Sequence, residues 1–133
     1  MHLIFCVDER DGLSFCGRRL SRDRKIISHM LELTSGSRLW IHPYSADLFP
    51  EECVLADEDF LRKANPGDYC WIEKGPFPEV WHSVESVTLY YWNREYPSTE
   101  HFPRSLLENM HRETIEEFPG NSHEKITIER FVL

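Results

Sequence analysis

Short apolar runs separated by polar turns predict alternating strands and helices along this chain. Residues 2–7 (HLIFCV) have the length and composition of a buried strand. Residues 86–92 (SVTLYYW) are dense in β-branched and aromatic residues and give the strongest strand signal, which predicts the centre of a sheet. Three further strands are predicted over residues 38–42, 53–56 and 69–73.

A helix is predicted after Ser21, which can act as its N-cap. Asp23 falls in the first turn, where the helix dipole favours an acid. The apolar face repeats at helical spacing and consists of Ile26, Ile27, Met30, Leu31 and Leu33. Gly36 is expected to end the helix in a left-handed conformation.

The remaining segments predict connections and a terminal hairpin. Residues 8–20 predict a long charged loop, and long ordered loops are often functional. Shorter pieces are a helical turn over 45–49, a helix capped by Asp57 over 57–64 and an amphipathic piece over 78–83. Residues 114–118 and 125–132 alternate around Pro119-Gly120-Asn121, which is typical of an antiparallel hairpin.

These elements predict the fold class. Strands that alternate with helices favour a mostly parallel sheet, and the terminal hairpin adds an antiparallel edge. The chain of 133 residues has the length of one domain, and no repeat or linker divides it. We therefore expect a single α/β domain over residues 1–133, with helices on the faces of the sheet.

Charge is unevenly distributed. The net charge of −8 opposes general nucleic-acid binding, which depends on clustered Lys and Arg. Six basic residues nevertheless fall close together: Arg10, Arg18, Arg19, Arg22, Arg24 and Lys25. This cluster predicts a site for a small anion. The opening apolar run is too short for a signal peptide or a membrane span, so we expect a cytoplasmic protein without a membrane partner.

Familiar catalytic and metal-binding motifs are absent. The sequence contains no P-loop, GxSxG or GxGxxG. The four cysteines, Cys6, Cys16, Cys53 and Cys70, form no CxxC pair and are predicted to be reduced core or near-core thiols. The seven histidines have no metal-ligand spacing, so no metal site is predicted.

The order of several short motifs resembles that of bacterial dihydrofolate reductases. Four motifs are similar to the C-terminal half of that family: Leu89-Tyr90, His101-Phe102-Pro103, Asn121-Ser122-His123 and Ile128-Glu129-Arg130. Residues 67–72 resemble the strand that leads to the cofactor glycines, and residues 20–23 resemble the start of the first long helix. The resemblance covers nearly the whole chain and implies a shortened reductase fold that lacks one strand after Phe49.

The resemblance also assigns expected roles. The carboxylate that binds and polarises the pterin falls on Asp23, the candidate catalytic residue. The hydroxyl that holds a cofactor phosphate falls on Ser45. Glu73-Lys74-Gly75 replaces the paired glycines beside the cofactor, and Trp92 replaces the threonine that supports the carboxylate. A charged pair at that position argues against the usual NADPH pose, so the cofactor is unknown.

A second resemblance covers the basic cluster. The pattern D-x-x-x-G-x-x-F-x-x-R-R-x-S-x-D-R, from Asp8 to Arg24, is similar to small uncharacterised proteins of Gram-positive bacteria. Such proteins often carry the name ribonuclease Z, but the HxHxDH zinc motif of that enzyme is absent from this sequence.

Residues 18–24 form the first candidate ligand site. Guanidinium groups there can clamp a phosphate or carboxylate, and Asp23 can accept hydrogen bonds from an amidine-like group of a heterocycle. The candidate ligand-binding residues of this segment are Arg18, Arg19, Ser21 and Arg24. The alternative is a structural network in which Asp8, Asp11 and Asp23 neutralise the arginines.

Two further candidates lie at the end of the strongest strand and in the terminal turn. Trp92 and Tyr96 follow a strand end, where α/β sheets place ligands, and could stack on a ring or simply pack. His123 could act as an acid or base near neutral pH, or belong to a polar turn.

Two functions are consistent with this pattern. The first is a binding protein or enzyme that holds a small anionic or heterocyclic ligand between residues 18–24 and the strand end at Trp92. The alternative is a non-catalytic interaction or regulatory protein that has lost the cofactor site and binds a protein partner.

Overall fold

The computed structural model describes residues 1–75 and 81–133. Within these residues, ten strands follow in chain order: β1 (His2–Val7), β2 (Gly12–Phe15), β3 (Arg18–Arg19), β4 (Leu39–Ile41), β5 (Leu55–Ala56), β6 (Tyr69–Ile72), β7 (Ser86–Tyr91), β8 (Glu100–His101), β9 (His111–Phe118) and β10 (Ile126–Val132). The α-helices are α1 (Arg24–Leu33) and α2 (Phe60–Lys63). Short 3-10 helices cover Pro43–Leu48, Glu51–Cys53, Trp81–Ser83 and Arg104–Leu107.

The main sheet has seven strands in the order β5-β4-β6-β1-β7-β10-β9. The first five of these strands pair in parallel, whereas β10 pairs antiparallel with both β7 and β9. The predicted mostly parallel sheet with a C-terminal antiparallel hairpin is therefore confirmed. The strand predicted for the centre, β7, lies beside the middle strand, which is β1. An apolar composition predicts that a strand is buried on both faces, but it does not predict the position of that strand in the sheet.

Each face of the sheet is covered by its own core. On one face, α1 packs Ile26 and Met30 against a cluster that includes Ile4 of β1. On the other face, Phe60 of α2 packs against a cluster that includes Phe5. Successive β1 residues thus enter opposite cores, as the two-residue period of a strand requires.

The first helix begins later than predicted. Asp23, rather than Ser21, is the N-cap of α1, and its carboxylate accepts a hydrogen bond from the amide of Lys25. The helix ends at Leu33, and Gly36 follows with a φ of 85° in the left-handed region. The second helix is shorter than predicted, since α2 begins at Phe60.

The predicted loop over residues 8–20 instead contributes two strands to a small antiparallel sheet. The strand β2 pairs with β3 and with the distant β8, in the order β3-β2-β8. The sequence pattern could not reveal this sheet, because β3 and β8 have two residues each. Of the amphipathic piece predicted over 78–83, Trp81–Ser83 forms a 3-10 helix and the rest lies outside the described residues.

All four cysteines are free, but only Cys6 and Cys70 are buried. Cys16 and Cys53 are exposed, which corrects the expectation that they lie in or near the core. Burial raises the pKa of the Cys70 thiol to about 12. Among residues 1–75 and 81–133, no helix is long and apolar enough to cross a membrane.

Candidate functional site

A groove of about 1020 Å³ lies between α1 and the 3-10 helix Pro43–Leu48, beside the β9–β10 turn. We refer to it as the α1 groove. Its apolar wall consists of Ile27, Leu31, Leu48 and Pro50. Its polar lining includes five residues of the basic segment, namely Arg19, Ser21, Arg22, Asp23 and Arg24. Most of the predicted basic segment therefore faces one cavity.

Arg19 is neutralised within the protein. Its Nε donates to Oε2 of Glu73 at 2.9 Å, and its Nη1 and Nη2 donate to the Asp47 carboxylate at 2.9 and 3.0 Å. Burial opposes the charge on Arg19, but these hydrogen bonds outweigh burial and raise its pKa. The partners are not the acids considered from the sequence, since Asp47 and Glu73 lie in distant segments.

Arg22 and Arg24 provide the remaining positive charge of the α1 groove. Both are exposed and line it. Arg24 donates through Nη2 to Oδ1 of Asn121 at 3.1 Å, which is a neutral acceptor. Arg18 is exposed on β3 and is not among the residues that line the α1 groove. The groove thus carries two guanidinium groups that form no ion pair among the described residues, although Asp47 lies close enough to Arg22 for their charges to interact.

Asp23 is held entirely by donors of the protein. Its side chain is buried and accepts hydrogen bonds from the amides of Lys25, Asn121 and Ser122, at 2.8–2.9 Å. It also accepts from Nδ1 of His123 at 3.0 Å. Burial alone would raise the pKa of Asp23, but these hydrogen bonds outweigh burial and hold the pKa well below its usual range.

His123 lies at the centre of a buried hydrogen-bond network. Its Nε2 is 2.8 Å from the Tyr96 hydroxyl and 3.2 Å from Oγ of Ser21. Its ring stacks on Trp92, with centroids 4.8 Å apart. Because Trp92 is buried and one face of its indole is covered by His123, that face is not free for a ligand. The neighbouring cavity, lined in part by Trp92 and Cys6, has a volume of only about 20 Å³.

Ser45 lies in a different pocket from the α1 groove. This pocket, of about 430 Å³, adjoins the carboxyl ends of β4 and β6. Ser45 is buried there, and the ammonium of Lys74 sits 4.1 Å from the centroid of the Tyr44 ring. Three carboxylate residues, Glu58, Asp59 and Glu73, also line this pocket. The structure therefore does not bring Ser45 together with Ser21, Asp23 and His123.

The structural network considered from the sequence has other members. Asp8 accepts hydrogen bonds from the amides of Gly12 and Tyr96, and Asp11 forms an ion pair with Arg104. These acids fix loops rather than neutralise the basic cluster. Sequence reasoning missed Asp47 as the partner of Arg19, because no local pattern joins two residues that tertiary packing brings into contact.

Comparison with known proteins rests on structure alone. No protein-family model matches the sequence, and no curated protein matches it. The fold is similar to that of dihydrofolate reductase from Enterococcus faecalis, solved in complex with NADP(H) and RAB-propyl. The TM-score is 0.69 at 10% sequence identity, over 98% of this chain and 94% of that chain. The protein therefore has an α/β fold of the dihydrofolate reductase type, as its motif order predicts.

Proposed function

We propose that this protein binds a small anionic molecule with an apolar or heterocyclic body in the α1 groove. The observation that carries the proposal is the combination of an apolar wall with the two exposed guanidinium groups of Arg22 and Arg24. The α1 groove has a volume of about 1020 Å³, which is at the upper end of the range for ligand pockets, roughly 300–1000 Å³. Arginine binds phosphate and carboxylate groups through paired hydrogen bonds.

The fold similarity supports small-molecule binding in a general way. The reductase from Enterococcus faecalis, which has a similar fold, was solved in complex with NADP(H) and RAB-propyl. At 10% identity the likeness concerns the fold, and the residues of this chain decide which ligand it binds. Those residues favour an anion in the α1 groove.

The second pocket does not fit NADP(H). Three carboxylates line this pocket, those of Glu58, Asp59 and Glu73. Two cationic side chains, those of Arg62 and Lys74, also line it. Arg62 is paired with Asp59, and Glu73 with Arg19. A diphosphate would meet carboxylates where it needs donors. We therefore propose a ligand other than a nicotinamide dinucleotide.

A non-catalytic interaction protein is the second candidate. It is favoured by the cavity of about 20 Å³ beside Trp92, which is too small for a heterocycle, and by the complete engagement of Asp23. In that case the exposed arginines of the α1 groove would contact an acidic segment of a protein partner.

Thermal unfolding and calorimetric titration test the proposal with inorganic phosphate, nucleoside monophosphates, aryl phosphates and pterin-6-carboxylate as probes. A probe at 100 times its dissociation constant is expected to stabilise the protein by about 2.7 kcal/mol. The Arg22→Ala/Arg24→Ala double variant is expected to lose this shift. Arg38→Ala is the matched control, because Arg38 is an exposed arginine that does not line the α1 groove.

Two results would contradict the proposal. One is the absence of a shift with every probe. The other is an equal loss of binding in the Arg38→Ala control and in the double variant, since the site would then not be the α1 groove.

A further inference from the structure

Ser21, His123 and Asp23 form a hydroxyl–imidazole–carboxylate triad at the edge of the α1 groove. Oγ of Ser21 lies 3.2 Å from Nε2 of His123, and Nδ1 of the same ring lies 3.0 Å from Oδ2 of Asp23. The His123 and Asp23 side chains are 2% and 0% exposed. This is the order of contacts that activates a serine nucleophile, and such triads are recognised by geometry rather than by sequence position.

The surroundings fix the direction of each hydrogen bond. Asp23 accepts three backbone N–H groups, so its carboxylate acts as an acceptor and Nδ1 of His123 must donate to it. In the neutral ring, Nε2 then carries a lone pair. That lone pair faces two hydroxyl groups, of Tyr96 at 2.8 Å and of Ser21 at 3.2 Å. It can therefore accept the proton of Ser21 when Tyr96 does not occupy it.

Access distinguishes the two hydroxyl groups. Ser21 is half-buried and lines the α1 groove, whereas Tyr96 is not among its lining residues. Arg22 and Arg24 line the groove beside Ser21 and would attract an anionic acyl group into it. A carbonyl group bound in the groove would thus meet the serine and not the tyrosine.

We propose that Ser21 is a nucleophile that is acylated by carboxylic esters with an anionic acyl group, a role that rests on the proposed α1 groove. Oγ attacks the carbonyl carbon while Nε2 of His123 takes the serine proton. The bond to the alcohol oxygen breaks, and His123 returns the proton to that leaving oxygen. Water then attacks the acyl group, again with His123 as base, which releases the carboxylic acid and restores Ser21.

The test uses a fluorophosphonate probe, which phosphonylates activated serines, and the p-nitrophenyl monoesters of succinate and glutarate. Intact-mass and peptide analysis are expected to find one adduct, on Ser21. Ser21→Ala is expected to abolish the adduct and to lower ester hydrolysis by about 100-fold or more. Ser35→Ala is the matched control, because Ser35 is an exposed serine that does not line the α1 groove. It should react like the wild type.

Tyr96→Phe separates this proposal from a purely structural network. The substitution removes the competing hydroxyl from Nε2, so the labelling rate of Ser21 is expected to stay equal or to rise. Loss of labelling in a folded Tyr96→Phe protein, an adduct elsewhere, or ester hydrolysis unchanged in Ser21→Ala would each overturn the proposal. Anion binding that persists without any Ser21 adduct would overturn only the nucleophile, whereas loss of both would also overturn the proposed ligand site.

Discussion

Asp23 joins two segments that lie about a hundred positions apart in the chain. Its carboxylate caps α1 through the amide of Lys25 and also receives the amides of Asn121 and Ser122. A buried carboxylate with this many donors stays ionised, because each hydrogen bond favours the charged form. Asp23 therefore fixes the β9–β10 turn against the start of α1, and this contact also orients His123.

Asp23→Ala is expected to lower the free energy of unfolding by about 3 kcal/mol. The substitution removes an N-cap, worth about 1 kcal/mol, and leaves buried donors without an acceptor, at about 1–3 kcal/mol. Urea denaturation at neutral pH measures the change. Asp59→Ala is the control, because Asp59 precedes α2 without a side-chain capping hydrogen bond and its ion pair with Arg62 is exposed. It should cost less than about 1 kcal/mol, and an equal cost for both variants would contradict the role given to Asp23.

The β9–β10 hairpin contributes more than an edge to the sheet. Its strands pair along Ile126–Val132, and its turn reaches across to the start of α1. Gly120 makes this approach compatible with packing: a Cβ atom there would lie 2.6 Å from the carbonyl oxygen of His123 and 2.8 Å from Oδ2 of Asp23. The β9–β10 turn can therefore approach the Asp23 carboxylate this closely because Gly120 has no side chain.

Gly120→Ala is expected to destabilise the protein by about 2 kcal/mol, because the new methyl group must displace backbone or a buried carboxylate. Gly36→Ala provides the comparison: its Cβ would meet nothing within 4 Å, but its φ of 85° is unfavourable for alanine. That strain should cost about 1 kcal/mol without affecting the triad. Thermal unfolding compares the stabilities, and fluorophosphonate labelling of Ser21 should fall only in Gly120→Ala. Unchanged labelling in that variant would show that the turn does not position His123.

The protein as a whole is acidic, whereas the α1 groove presents two exposed guanidinium groups to solvent. The net charge is −8, and Arg19 is paired with two carboxylates, those of Asp47 and Glu73, but Arg22 and Arg24 line the groove without an ion pair among the described residues. A cluster of one sign on a surface of the other sign attracts an anion over a short distance, while the rest of the surface repels it. Anion binding should therefore depend on contact with the arginines rather than on long-range attraction.

Raising the salt concentration from about 0.1 to about 1 M shortens the Debye length from about 10 to about 3 Å. The affinity for an anionic probe such as an aryl phosphate is expected to fall over this range, because both arginines are exposed to solvent. Isothermal titration of the wild type measures the change, and Arg22→Ala should have the weaker salt dependence. An affinity that does not change with salt would show that the exposed guanidinium groups are not the anion ligands.

Local patterns in the sequence determined the elements and their general arrangement. Apolar runs predict β1 and β7, helical spacing predicts α1, and the Pro-Gly-Asn turn predicts the terminal hairpin. These features follow from short-range physics, namely the periods of helix and strand and the conformational preferences of turn residues. The order of motifs also predicted the reductase-type fold, which the structural similarity confirms.

Tertiary structure alone decided what the polar residues do. The sequence brought Asp23 and His123 into consideration separately, but only the closed sheet places Nδ1 of His123 3.0 Å from the carboxylate. The tertiary structure also pairs Arg19 with Asp47 and Glu73 rather than with acids that are nearby in the sequence. Such pairings join residues from 28 to 100 positions apart. No local period encodes them, because they depend on where packing of the apolar strands leaves each polar side chain.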